Sequence, residues 1–242
     1  MSYDGAGTET CFYLRIIMDR IEFLSHLLKD SDCFLDFSII SALAVYFDEL
    51  FFWNRRTNLT GALAEEELIA KHLGDTLFLH GALPGDMKSA LDIGTGAGIP
   101  GLLFKLLRPS VLMFLADARR KRISFLKNII TKLGVQGMYA EQCLVGEGHA
   151  PLQSVFQTFP QKGVDLVLSQ AVCSISDFVA MALPVTSKTG CMVSLKGPHF
   201  HEDLKAAEAC IGRFGLFCEV LPGRNPLNGH ERFLIVLRPH RP

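Results

Sequence analysis

The chain has 242 residues, 49% of them hydrophobic and 20% charged, with a formal net charge of -1, so it can fill a large core and carries no global signal for a nucleic-acid or membrane partner. That length suits one large α/β domain with a short extension, or two small domains. Seven cysteines lie scattered in apolar segments without a C-x-x-C pair or zinc spacing, which argues against a disulfide framework or zinc module and predicts free thiols in a reducing compartment. Met1–Thr10 is acidic and lacks the basic start of a signal peptide, and no apolar run reaches the roughly 20 residues that span a bilayer. A cytoplasmic protein without membrane contact is expected.

From about Cys11 to Lys29, Leu14, Ile17, Ile21, Leu24 and Leu28 recur at helical spacing. Phe37 to Trp53 is nearly all apolar, and its length favours a helix buried on most sides, with Asp30-Ser31-Asp32 as a possible cap. Both read as a helical extension packed on a main domain; a membrane-surface role would want a Lys/Arg-rich polar face, which is missing. A polar turn through Arg55, Arg56 and Asn58 follows, then a helix from about Glu65 to Leu79 carrying Lys71 and His72. Pro84-Gly85 breaks the chain, which places an extension over 1–84 and a main domain over 85–242.

From Ser89 strands and helices alternate. Strands are predicted at Ala90–Ile93, Val111–Ala116, Met138–Cys143, Val164–Leu168 and Cys191–Leu195, and helices at Ile99–Leu107, Arg119–Leu133, Ile175–Leu183 and, weakly, Glu202–Ile211. His149–Lys162 has no clear assignment. Leu216–Leu221 and Phe233–Leu237 read as late strands joined without a helix. Repeated β-α-β units imply a doubly wound, mostly parallel sheet, and the late pair implies an antiparallel addition at its edge. That addition differs from a plain dinucleotide-binding domain.

Three features fall at strand ends, where doubly wound sheets bind ligands. Gly94, Gly96 and Gly98 form a turn after the first strand, directly beyond Asp92. Asp117 ends the second strand at a spacing suited to a ribose hydroxyl pair, and the loop from Cys143 to Gly148 follows the third. Each alone has a structural reading as a connector or cap; together they favour an adenosine-containing cofactor. The dinucleotide fingerprint runs G-x-G-x-x-G, whereas these glycines run G-x-G-x-G and precede Pro100.

This loop resembles motif I of class I S-adenosylmethionine-dependent methyltransferases, whose cofactor lacks a phosphate. Three blocks extend the resemblance to the glucose-inhibited division protein B family, the bacterial 16S ribosomal RNA guanine-N7 methyltransferases. They are Asn58-Leu59-Thr60 with Lys71–Thr76; Leu91–Gly101 with Arg108-Pro109, Asp117, Lys121-Arg122 and Phe125-Leu126; and Leu195-Lys196-Gly197 with Glu231–Leu234. The resemblance implies S-adenosyl-L-methionine as cofactor, one guanine N7 as acceptor, and 16S rRNA in the small ribosomal subunit or its precursor as partner. It also carries cofactor contacts onto Gly94, Ile99, Val145 and Gly146. At Gln170 the family has arginine; glutamine keeps hydrogen-bonding capacity but loses the fixed charge and five-donor fork.

No catalytic base, nucleophilic triad or metal site is assigned, in keeping with an acceptor nitrogen that carries a lone pair and no proton. Arg119, Arg120, Lys121 and Arg122 open a helix, where the macrodipole opposes cations, which favours an RNA-facing patch; Lys196 and Arg232 join it as RNA candidates near strand ends. Arg55, Arg56, Lys71, His72, His199 and the tail Arg238, His240 and Arg241 are weaker candidates. A monomer is expected. The alternatives are a methyltransferase of the same fold acting on another RNA or small molecule, a degenerate rRNA-binding protein, and last a nicotinamide-dependent dehydrogenase.

Overall fold

The computed structural model describes residues 5–31, 33–57, 59–61, 64–146, 148–170 and 173–239, with side chains from residue 13 onward. Asp32, Asn58, His240, Arg241 and the side chain of Cys11, on which expectations above depend, lie outside the described residues. Three helices come first: α1 (Gly5–Asp30), α2 (Phe37–Thr57) and α3 (Glu65–Ala82). Then follow β1 (Ser89–Ile93), α4 (Gly101–Leu107), β2 (Leu112–Asp117), α5 (Arg120–Leu133), β3 (Met138–Gln142), α6 (Leu152–Val155) and β4 (Val164–Gln170). The chain closes with α7 (Ile175–Ala182), β5 (Thr186–Lys196), α8 (His201–Arg213), β6 (Leu216–Arg224) and β7 (Glu231–Pro239).

The strands form one sheet in the order β3-β2-β1-β4-β5-β7-β6. β1 to β5 are parallel, and β7 enters antiparallel between β5 and β6. Strand order reverses between β1 and β4, so the connections leaving their carboxyl ends run in opposite directions and open a crevice.

Successive strand residues face opposite sides of a sheet, and both sides are covered here. Met113 and Leu115 of β2 join the apolar cluster of α2, α3, α4 and α5, while Phe114 and Ala116 join that of α7 and α8. β7 divides likewise, Leu234 and Val236 to the first cluster and Ile235 and Leu237 to the second. β1 is consequently buried along its whole length. Fully buried Tyr46, Phe47, Phe104, Phe114, Phe125 and Phe178 fill the two layers, each burial contributing roughly 1.5–3 kcal/mol.

Several boundaries differ from the sequence reading. α2 buries Ile40, Leu43, Ala44, Tyr46, Phe47, Leu50 and Phe51 and leaves none of residues 39–51 exposed, in keeping with the helix expected there, while Phe37 and Phe52 outside that span are exposed. Leu14 of α1 is also exposed, whereas Leu24 and Leu28 are buried. The cap of α2 is backbone: Asp36 O accepts the amides of Ile39 and Ile40. α4 begins at Gly101, not Ile99, because the glycine turn runs on through Pro100. β5 starts at Thr186, through polar residues that no hydrophobic pattern marks. β6 continues past Leu221 through Pro222, which an edge strand tolerates because its outer side needs no ladder hydrogen bond. The unassigned stretch holds the short α6. Cys143, Cys173, Cys191, Cys210 and Cys218 are free thiols. Among the described residues no helix is long and apolar enough to cross a membrane.

Candidate active site

A cleft of about 980 Å³ opens over the carboxyl ends of β1, β2, β4 and β5, within the range of small-molecule sites. Its first lobe is the glycine turn. Gly94 and Thr95 donate their amides to Ala116 O at 2.8 and 3.1 Å, which ties the turn to β2. Gly96 and Gly98 have φ of +61° and +92°, a region that L side chains rarely adopt. Their surroundings differ. A Cβ on Gly96 would meet nothing closer than 3.9 Å, whereas one on Gly98 would lie 2.8 Å from Leu102 Cβ and 2.9 Å from Leu126 Cδ2. Gly96 is therefore open to the cleft, whereas Gly98, expected beside it as a cofactor contact, packs against α4 and α5 and is not among the residues that line the cleft. Gly94 and Ile99 line the cleft as the sequence reading places them.

Asp92 also departs from its expected place. It is 1% exposed beneath the turn, where its Oδ2 accepts from Thr95 Oγ1 at 2.7 Å and Gly101 N at 2.9 Å. It braces the loop rather than facing a ligand. Burial, with a smaller push from Asp117, outweighs those two hydrogen bonds and raises its carboxyl to about 7, while Oδ1 has no partner.

Asp117, at the end of β2, does reach the cleft. Oδ1 accepts from Arg119 N at 2.8 Å, and Oδ2 accepts from Gly96 N and from Arg122 Nη1, each at 3.0 Å. The carboxylate thus ties the residue that leads into α5, whose first turn contains no acid, to the glycine turn. Of its three donors only the Arg122 side chain, 27% exposed, is free to swing away. On the adenine side, Val145 lines the cleft with Cys143 and Leu144. Gly146 lies one residue outside it, on a small neighbouring hollow beside Met181.

The second lobe centres on Asp75 of α3. This residue is 1% exposed and accepts from Arg232 Nε at 2.7 Å, Asn225 Nδ2 at 2.7 Å and Gln170 Nε2 at 3.2 Å. Because a carboxylate only accepts, it turns the Gln170 amide nitrogen toward itself and leaves Gln170 Oε1 buried without a partner among the described residues. Beside it His72 is pushed down to about 4 by burial, then by Lys71 and Arg232, and its Nδ1 is also unpartnered. Asp75 and Asn225 were not singled out by sequence. A signal existed for the first: Leu68, His72, Asp75 and Leu79 share one helical stripe, and polar residues on an apolar stripe invite a functional reading.

The basic candidates separate into two groups. Arg122, Arg232 and Lys196 are not free surface cations, as expected of RNA contacts: the first two pair with Asp117 and Asp75, and Lys196 Nζ pairs with Asp203 at 2.8 Å and donates to Cys173 O at 3.3 Å. Arg119, Arg120 and Lys121 are exposed and make no ion pair among the described residues, and Arg119 sits on the cleft wall.

The site can thus hold an elongated polar ligand along the glycine turn and past Asp117, with a polar chamber around Asp75 in the same cleft. Residues 39–215 match the profile of the rRNA small subunit methyltransferase G family. The chain belongs to this family. A ribosomal RNA small subunit methyltransferase G of Syntrophotalea carbinolica is 33% identical over 216 residues, covering 89% of this chain and 96% of that protein. One from a Geobacter strain is 34% identical over 204 residues, covering 84% and 90%. Among solved structures, a ribosomal protein L11 methylase of Lactobacillus delbrueckii aligns with a TM-score of 0.50 at 12% identity over 70% of this chain and 79% of that one. A predicted O-methyltransferase of Agrobacterium tumefaciens gives 0.51 at 13% identity, over 71% and 81%. At such identities the structural likeness shows the fold, that of class I methyltransferases; membership of the family rests on sequence.

Proposed function

We propose that the chain transfers a methyl group from S-adenosylmethionine to N7 of one guanine in 16S rRNA, presented in the small ribosomal subunit or its precursor. The observation that carries this reading is one continuous cleft joining the glycine turn and Asp117 to the chamber of Asp75, Gln170 and Arg232, in a chain of this family. Gly94, Gly96, Ile99 and Val145 would hold the cofactor, with Asp117 at its ribose hydroxyls once the Arg122 guanidinium moves aside. When bound, S-adenosylmethionine supplies a methyl group on a positively charged sulfur.

Guanine N7 presents a lone pair without a proton, so the protein has no proton to remove at that atom. Its task is alignment, which the braced turn and the hydrogen-bonded chamber serve by holding their side chains in place. Asp75 and Asp117 both face the cleft and favour a cationic group within it. Lys71, Arg119, Arg122, Lys196 and Arg232 also line it, and after the pairs of the last three with Asp117, Asp203 and Asp75, Lys71 and Arg119 are left in excess in a chain of formal net charge -1. This local excess suits a polyanion, with Arg119, Arg120 and Lys121 as the exposed phosphate-facing ridge.

Nucleoside mass spectrometry of 16S rRNA from cells with and without the protein tests the acceptor. Loss of one 7-methylguanosine, restored by complementation, is expected; an unchanged 7-methylguanosine content refutes it. Calorimetry tests the cofactor, and binding of NAD but not of S-adenosylmethionine would exclude the present assignment.

A further inference from the structure

The glycine turn is held almost entirely by its own sheet. Gly94 N and Thr95 N bind Ala116 O, Gly96 N binds Asp117, and Gly98 N and Ile99 N bind Thr95 O at 2.9 and 3.1 Å. One anchor comes from elsewhere. Tyr46, in the middle of α2 and 51 residues upstream, donates its hydroxyl to Ala97 O at 3.0 Å. Among the described residues no other donor reaches that carbonyl.

Tyr46 is 0% exposed and its ring has no room to turn away. It packs edge-on against Phe47 with centroids 5.0 Å apart and against Phe125 at 6.2 Å, and Phe125 is also held by Trp53 at 5.8 Å. The hydroxyl is therefore presented at a fixed point. The composition of its target permits alternatives, since Ala97 stands between Gly96 and Gly98, whose backbones accept many conformations. Rotation of the Ala97–Gly98 peptide plane would bury the carbonyl elsewhere and withdraw the Gly98 amide from Thr95 O. Ala97, 4% exposed, lines the cleft between these glycines, so such a rotation reshapes the surface on which a ligand lies.

We infer that Tyr46 is a positioning residue for the cofactor turn: the N-terminal helices, through one hydroxyl, select the binding-competent conformation of Gly96–Gly98. The inference rests on the proposed reading of that turn as the S-adenosylmethionine site. Without the hydroxyl, Ala97 O is a buried acceptor with no donor, and the turn spends only part of its time in the competent state. Apparent affinity then falls by the competent fraction.

The test compares Tyr46→Phe with Leu50→Val, a fully buried change in the same helix that leaves the hydroxyl in place. S-adenosylmethionine affinity is measured by calorimetry, and exchange of the Gly98 amide by NMR on ligand-free protein. Tyr46→Phe should raise Kd about tenfold and accelerate Gly98 exchange selectively, while Leu50→Val lowers the thermal midpoint and changes neither. An unchanged Kd in Tyr46→Phe, unaltered Gly98 exchange, or the same changes in Leu50→Val overturns the inference. If wild-type protein bound no S-adenosylmethionine, the proposed function would fail instead, and Gly98 exchange would still decide whether Tyr46 governs the turn.

Discussion

Replacing Asp92 by asparagine should change how stability depends on pH more than it changes stability itself. The carboxyl sits buried under the glycine turn, and its proton is held in the folded state up to about 7 against an ordinary value of 3.8. A group raised in this way stabilises the fold fully below its unfolded value, and that contribution is lost as pH rises toward 7. At about 1.4 kcal/mol per pH unit the loss amounts to about 4 kcal/mol. His72 acts in the opposite sense. It is lowered from 6.5 to about 4, so its contribution is complete above 6.5 and lost as pH falls through 4, about 3 kcal/mol in all. The two windows overlap, so between about pH 4.5 and 6.5 these two contributions oppose each other. The asparagine side chain would still offer an amide oxygen to Thr95 and Gly101 but would not titrate. Urea unfolding at a series of pH values should then show the stability of Asp92→Asn gaining on that of wild type by about 1.4 kcal/mol per pH unit over that range. A variant curve parallel to that of wild type would refute the assignment of the buried proton to Asp92.

Two glycines of the turn should fail in different ways. Gly98→Ala drives a methyl into Leu102 and Leu126 at positive φ and should cost about 3 kcal/mol, roughly 10 °C in thermal midpoint; a midpoint within about 2–3 °C of wild type would contradict the packing role. Gly96→Ala has open space and should cost only about 1–2 kcal/mol in stability while weakening S-adenosylmethionine binding more than tenfold by calorimetry, and an unchanged Kd would remove Gly96 from the site. Arg119→Glu with Lys121→Glu should lower RNA affinity and reduce the slope of log K against log salt by about two, without moving the thermal midpoint. An identical slope would show the ridge to be ordinary surface.

Much of the site was legible because its signals are local. A glycine turn between a strand and a helix, an acid at the end of the next strand and a late strand pair without a helix are each set by neighbouring residues. Gly94, Gly96, Ile99, Asp117, Val145 and Gln170 accordingly line or border one cleft. What misled was the choice of direction. Asp92 and Gly98 belong to the same motif, yet one points beneath the turn and the other into α4 and α5, since a side chain's target depends on what packs there. Charge misled similarly: Arg122, Arg232 and Lys196 read as surface cations until Asp117, Asp75 and Asp203 came within bonding distance.

By itself the sequence determined the doubly wound sheet, the family and the position of the glycine turn, because periodicity and short motifs encode contacts between near neighbours. Only the tertiary structure decided which face each motif residue shows, that Asp75 of α3 meets Gln170, Asn225 and Arg232, up to 157 residues distant, and that Tyr46 of α2 holds Ala97. Those contacts join segments far apart in the chain, and burial, which moves Asp92 and His72 in opposite directions, exists only once the helices close over the sheet.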